Sequence, residues 1–233
     1  MIKQVHSPAL LVRSVPYGES DLIATFFTKE AGLLGATVRG GRRSQKRFGG
    51  ALEPIHTLDI TLDDRGKELC LLKEARIARP RLGITASLDA MDAAGHALRW
   101  TRHLCPPRTP EPAAWRGLTD LFDQLDAGEE PRPHLAVFGL HMLTDMGYAL
   151  ELERCIKCGR PGPAGRSAFL DGARGGLVCM SCGGARRTVK PALRSLALAA
   201  QRGDDVKIGR EDAGELIEIV EEAMAAHAGF EPL

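Results

Sequence analysis

The chain has 233 residues, 44% of them apolar, with 31 Lys and Arg against 30 Asp and Glu. That length and apolar share allow one large or two small packed domains. The sequence lacks an apolar run of roughly 18 residues, which excludes a transmembrane helix, and MIKQVHSPALLVRS at the start lacks the apolar centre of a secretion signal. A cytoplasmic, reducing setting is therefore expected, in which the six cysteines point to metal before disulfides.

The net charge of +1 conceals segregation. Residues 1–80 hold 13 Lys and Arg against 9 acids, 81–150 hold 6 against 9, 151–190 hold 8 against 3, and 191–233 hold 4 against 9. Two basic segments thus alternate with two acidic ones, as expected of a protein with separate surfaces for a polyanion and for other contacts.

Residues 8–79 read as β-structure. The runs PALLVRS, DLIATFFTK, LLGATVR, IHTLDITL and ELCLLKEA are rich in Val, Ile, Leu, Thr and Phe. Turn residues part them at Pro16–Gly18, Lys29–Gly32 and Asp63–Gly66. Leu58, Ile60 and Leu62 alternate with Thr57, Asp59 and Thr61, the period of a half-buried strand. Five such strands fit a small barrel of the OB type, with an SH3-like barrel as the competing topology.

Between the third and fourth runs lies RGGRRSQKRFGG, residues 39–50, with Arg39, Arg42, Arg43, Lys46 and Arg47. No acid occurs between Glu30 and Glu53. Phe48 is the loop's one aromatic. Any contact with a nucleic acid here is expected to be carried by phosphate neutralisation, with base stacking minor.

From Leu82 the period becomes helical. Ser87 is placed to cap a helix over SLDAMDAAGHALRWTRHL, with Leu88, Met91, Gly95, Leu98 and Arg102 recurring at helical steps. CPPRTPEP must be a loop, because its prolines cannot continue a helix. A second helix carries Trp115, Leu118, Phe122 and Leu125 on one face and ends before Gly128. PHLAVFGLHMLTDMG is apolar nearly all round, as a buried central helix is. Pro191 opens another helix. A last one is expected to begin at Asp212, with Glu215 three residues on and Leu216, Val220 and Met224 facing inward. The scattered histidines and both tryptophans read as packing or surface residues.

The most specific signal is Cys155-x2-Cys158, twenty residues, then Cys179-x2-Cys182. Each pair makes a knuckle that aims two thiolates at one point, and the spacer can return as a hairpin to bring four together. Zinc is the expected metal, with an iron–sulfur cluster and two redox pairs as alternatives. A four-thiolate site has no open position, so its role is expected to be structural. Cys70 and Cys105 stand apart and read as small buried apolar residues. Arg154, Lys157, Arg160, Arg166, Arg174, Arg186, Arg187 and Lys190 surround the motif. No phosphate loop, GxSxG or HExxH motif is present, so an enzyme is disfavoured.

The stretch VPYGESDLIATFFTKEAGLLGATVRGGRR (Val15–Arg43) resembles the opening of the bacterial RecO family of recombination mediators. KRFGGALEPIHTLDI is similar to the family's next strand, and MGYALELERCIKCG with FLDGARGGLVCMSCG to its zinc-bearing segment. The resemblance implies an α+β architecture: an N-terminal OB-fold β-barrel, then an α-helical domain with an inserted four-Cys zinc module. In this chain the boundaries would be 1–80 for the barrel, 81–150 and 184–233 for the helical domain, and 151–183 for the module. It also implies a non-enzymatic protein at the nucleoid that binds single- and double-stranded DNA, anneals complementary strands and acts in DNA repair and recombination. With RecR it would load RecA on strands coated by single-strand-binding protein (SSB), whose acidic C-terminal tail docks in the helical domain. One structural zinc falls on Cys155, Cys158, Cys179 and Cys182. Phosphates fall on Arg39, Arg42, Arg43, Lys46 and Arg47, with Arg186, Arg187 and Lys190 in support. Two other readings stay open: an RNA-binding or translation-associated OB-fold protein with a zinc ribbon, and a scaffold whose basic loop docks an acidic protein.

Overall fold

A computed structural model describes residues 2–42, 48, 50–163, 165–184 and 187–229. The chain forms two compact units, Met1–Glu129 and Glu130–Leu233.

In the first unit, strands β1 (Lys3–Tyr17), β2 (Asp21–Thr28), β3 (Gly32–Val38), β4 (Thr57–Asp64) and β5 (Cys70–Arg79) close into a barrel in the order β1-β2-β3-β5-β4. All five expected strands are present. Strand β1 serves both edges: Lys3–Leu10 pairs with β4, and Ala9–Tyr17 pairs with β2, with a bulge between Leu11 and Arg13. A short parallel pairing, Ala36 to Cys70 and Thr37 to Leu71, closes the seam between β3 and β5. This connectivity resolves the barrel as OB-type. The alternation in β4 holds, with Leu58, Ile60 and Leu62 all buried. They meet Leu11, Phe26, Leu34, Val38 and Leu72 in the core. Phe48 joins them, so the aromatic of the basic loop plugs the barrel and presents nothing to solvent.

Three helices belong to the same unit: α1 (Leu82–Thr85), α2 (Leu88–Leu104) and α3 (Pro112–Asp126). Ser87 caps α2 as expected, accepting from the Ala90 amide at 3.3 Å. Trp115, Leu118, Phe122 and Leu125 of α3 are buried, and Trp115 sits against Phe27 of the barrel. The expected division after residue 80 therefore does not mark the edge of a compact unit. The physical reason is Arg81, which is 1% exposed. Its Nε donates to Asp123 on α3 at 2.8 Å, and its Nη1 donates to Ile55 O at 3.0 Å and Thr57 Oγ1 at 2.9 Å. Its amide donates to His56 Nδ1, and its guanidinium lies over the Phe122 ring. Barrel and helices share this one buried cation.

Helix α2 turns inward a different set of residues from the stripe that recurs at helical steps. Its inward face is Ala90, Ala93, Ala94, Ala97, Trp100, Thr101 and Leu104. The stripe picked out by periodicity turns outward at its start, where Leu88 is 83% and Met91 47% exposed, and only Leu98 is buried.

The second unit holds α4 (Pro131–Asp145), β6 (Glu151–Cys155), β7 (Ala168–Asp171), β8 (Gly176–Val178), β9 (Arg187–Val189), α5 (Pro191–Gln201) and α6 (Arg210–Ala228). The strands form one sheet in the order β6-β8-β7-β9. Helix α6 starts at Arg210 after Gly209, so Asp212 lies within its first turn and does not cap it, while Leu216, Val220 and Met224 are buried as expected. His141 meets Ala200 O at 2.7 Å, which ties α4 to α5.

Candidate metal centre and nucleic-acid interface

Cys155 ends β6, and Cys179 follows β8 directly. The pairing of these strands, Glu151 with Gly176 and Cys155 with Leu177, brings the two knuckles side by side. Each knuckle is a hydrogen-bonded turn: Gly159 N donates to Cys155 O at 2.8 Å, and Gly183 N to Cys179 O at 3.1 Å. Both glycines sit at positive φ, 69° and 58°, where a side chain would strain the turn. All four Sγ atoms lie within 4.8 Å of one another, and Cys158 Sγ is 3.7 Å from Cys179 Sγ. Tetrahedral thiolates at the zinc–sulfur bond length are separated by about 3.8 Å.

The protonation chemistry fits a cation at the centre. The Cys179 amide donates to Cys155 Sγ at 3.3 Å and, with other knuckle amides, pulls the Cys155 thiol down to about 6. The amide of Cys182 lowers Cys179 likewise, whereas the neighbouring thiols of Cys179 and Cys158 push Cys182 up to about 12. Four thiolates this close repel one another, so full deprotonation needs a positive ion among them. The cluster can hold one metal ion and leaves it no vacant position. Cys70 and Cys105 are buried elsewhere.

The cationic residues divide into exposed and committed ones. Arg39 and Arg42 are exposed at the barrel rim where β3 ends. Their segment is stapled to the β1–β2 turn: Arg42 N donates to Ser20 O at 3.0 Å, and Gly40 N to Asp21 Oδ1 at 2.8 Å. The Gly40 amide, with Ser20 and Arg39, lowers the Asp21 pKa. The basic loop thus starts beside the β1–β2 turn, one of the OB-fold's usual oligonucleotide-binding loops; the other is the β4–β5 loop. In that loop Arg65 and Lys67 are exposed, two cations the sequence reading passed over. Tyr17, 58% exposed where β1 enters its turn, was also missed. Both could have been found by placing exposed cations and aromatics on the loops of an OB topology. Arg43, Lys46, Arg47 and Arg186 lie outside the described residues. Lys190 is exposed before α5. Arg187 is paired inside the unit, to Glu218 at 3.0 Å and Glu222 at 2.7 Å.

An OB barrel with a basic rim loop, followed by a helical unit with a four-cysteine cluster able to hold a metal ion, is the architecture of a class of nucleic-acid-handling proteins. Comparison with known families sharpens this. Residues 1–81 match the family model for the N-terminal part of recombination protein O, and residues 86–233 match that for its C-terminal part. The chain is 36% identical over 197 residues to a DNA repair protein RecO of Anaeromyxobacter sp. (strain K), covering 83% of this chain and 77% of the relative. It is 31% identical over 229 residues to that of Geobacter metallireducens, covering 97% and 93%. With RecO of Myxococcus xanthus it shares 33% over 198 residues, covering 84% and 80%. The chain belongs to the RecO family of DNA repair proteins. Among the described residues, no helix is long and apolar enough to cross a membrane.

Proposed function

We propose that this protein is a recombination mediator that acts by binding DNA without covalent chemistry. The observation that carries the reading is the pair Arg39 and Arg42, exposed beside the β1–β2 turn of an OB barrel. Phosphates would be held there, by Arg43, Lys46 and Arg47 farther along the loop, and by Arg65 and Lys67 across the β4–β5 loop. Such contacts carry no sequence information and release counterions. With Phe48 in the core, the loop shields phosphates and leaves bases free to pair, which suits annealing of complementary strands. Lys190 and Arg186 are kept as secondary contacts. The metal is proposed to be one structural zinc.

The test is a titration of unlabelled competitor against a fluorescent single strand at several salt concentrations. Reversing both Arg39 and Arg42 to Glu is expected to weaken binding to every sequence and flatten the salt slope by about 1 to 2 units. An unchanged slope would remove the loop from the phosphate path. Equal competition by RNA of the same length would favour the RNA-binding reading. Strand annealing on SSB-coated DNA, with and without RecR and RecA, tests the mediator role.

For the acidic tail of SSB, which ends in Phe, the first unit offers matching chemistry. A groove of about 550 Å³ is lined by Val12, Pro54, Ile55, Met91, Ala94 and Leu98, with Arg99 and Arg102 on its rim. Burial and the nearby charges of Arg13 and Arg99 lower the Arg102 pKa, a penalty that a bound carboxylate would relieve. Arg102→Glu should abolish binding of a tail peptide measured by fluorescence anisotropy. Undiminished binding would place the tail elsewhere.

A further inference from the structure

The two cysteine knuckles are built alike but point their central side chains in opposite ways. In the first, Ile156 turns inward: it is half-buried, its amide donates to Leu177 O at 2.8 Å, and its Cγ2 packs close over Gly176. In the second, Met180 stands 82% exposed. Two cations from the first knuckle reach across to flank it. Lys157 Nζ donates to Gly183 O at 2.8 Å, and Arg160 Nη1 to Ser181 Oγ at 3.2 Å. Arg154 lies on the same knuckle, its Nη1 3.5 Å from Gly159 O.

The carboxylates of the module all have hydrogen-bond or ion-pair partners within the unit. Glu151 accepts from the amides of Glu153 and Arg154, Glu153 pairs with Arg202 at 2.8 Å, and Asp171 pairs with Arg174. Four thiolates around one divalent ion leave about two negative charges. Lys157 and Arg160 offset those two, and Arg154 remains in excess on an exposed surface. A surface made for solubility alone would not put a thioether at the tip of this cationic patch.

We infer that the second knuckle is a contact for single-stranded nucleic acid, with Met180 packing on the face of an unstacked base and Arg154 holding a phosphate beside it. The thioether is soft and polarisable and packs well on an aromatic face. In a duplex the base faces are already stacked, so the apolar tip gains nothing unless the strand is single. This surface extends the DNA-binding reading, on which it rests, to residues that reading does not use.

The experiment uses the full-length, metal-loaded protein with a short oligothymidylate carrying 5-iodouracil, alongside a duplex of the same length. Ultraviolet crosslinking followed by peptide mapping should place an adduct on Met180 or its neighbours. Met180→Ser should weaken single-strand binding by roughly two- to ten-fold and leave duplex binding and the salt slope unchanged. Met180→Leu should retain most of the affinity, and Arg154→Gln should flatten the slope by about 1. Metal content of each variant verifies that the knuckles are intact. If Met180→Ser binds single strands like the parent, or loses single and double strands equally, the base contact is refuted. Arg39 and Arg42 variants run beside it separate the two readings. Loss of binding there with none at Met180 sinks this inference alone, and absence of DNA binding by the parent sinks both.

Discussion

In the N-terminal unit, strands of 15, 8, 7, 8 and 10 residues are held by a continuous apolar core and one buried guanidinium. In the C-terminal unit, strands of 5, 4, 3 and 3 residues form a sheet whose β6–β8 pairing has just two partner pairs, with a register shift between them. Ladders that short contribute little by themselves. The first unit is a structure that side chains can complete alone, whereas in the second the proposed metal would complete the point where its two knuckles meet. The Leu170, Leu177, Val178 and Val189 side chains and the Arg187 pairs to α6 give the sheet partial support, so it is more than an isolated metal-stapled hairpin.

The contrast breaks most sharply under metal removal. Structural zinc contributes an apparent binding energy on the order of 10 kcal/mol at neutral pH. A chelator, or Cys158→Ser, should release one metal per chain and raise amide exchange across residues 151–190 by orders of magnitude, leaving the barrel strands protected. Protection unchanged in the sheet after metal loss would mean that apolar packing on α6 suffices. An iron absorption band in the purified protein would overturn zinc as the metal.

The converse break is at Arg81. Arg81→Met removes the cation that joins Ile55, Thr57 and Asp123. Leaving buried acceptors unpaired costs about 3 kcal/mol, toward the low end for a buried ion pair because Arg79 still reaches Asp123 at 2.9 Å. Urea unfolding of the first unit should shift accordingly, with metal content unchanged. A loss below about 0.5 kcal/mol, the range of an ordinary surface substitution, would show that the junction is held by apolar contacts instead.

Those two sites differ in how far the sequence disclosed them. The four cysteines were legible because ligand type and spacing state the chemistry directly, and the five strands because turn residues and alternation mark them. Arg81 was not legible: a cation beside Pro80 reads as surface, and only the closed barrel shows that it is buried against α3. The same limit explains α2. Its Leu and Met stripe gives the stronger periodic signal, yet the alanine stripe is the one that lets the helix approach closely, and small residues register weakly in any hydropathy pattern. The end of the first unit fell at Glu129 and not at residue 80 for a related reason. A change of period from strand to helix marks a change of secondary structure, and the shared core that defines a compact unit crosses it. Family membership rests on order and spacing over the whole chain, and the two family models part at residues 81 and 86, where the period changes.

The smallest expected effect lies at the foot of the barrel, where the loop after α2 returns to the strands. Arg108 Nη1 donates to Asp64 Oδ2 at 2.7 Å, and the Gly66 amide donates to Asp64 Oδ1 at 2.8 Å. The Arg108 bond first, and the Gly66 bond next, hold the Asp64 carboxyl below its ordinary value. A carboxylate with a folded pKa below its unfolded value of about 3.9 stabilises the fold above that pH and ceases to do so as pH falls through the folded value. Arg108 is 40% exposed along its side chain, so solvent screens the pair and its worth at neutral pH should be within about 1 kcal/mol. The residue also sits at φ 58°, which Asn tolerates and Ala does not, so Arg108→Asn isolates the charge from the backbone. The variant should be slightly less stable than the parent at pH 7, and the two should converge in acid once Asp64 is protonated in both. A gap that stays constant down to low pH would assign the loss to packing of the 105–111 loop against Leu33, where Arg108 N already donates to Leu33 O at 2.9 Å.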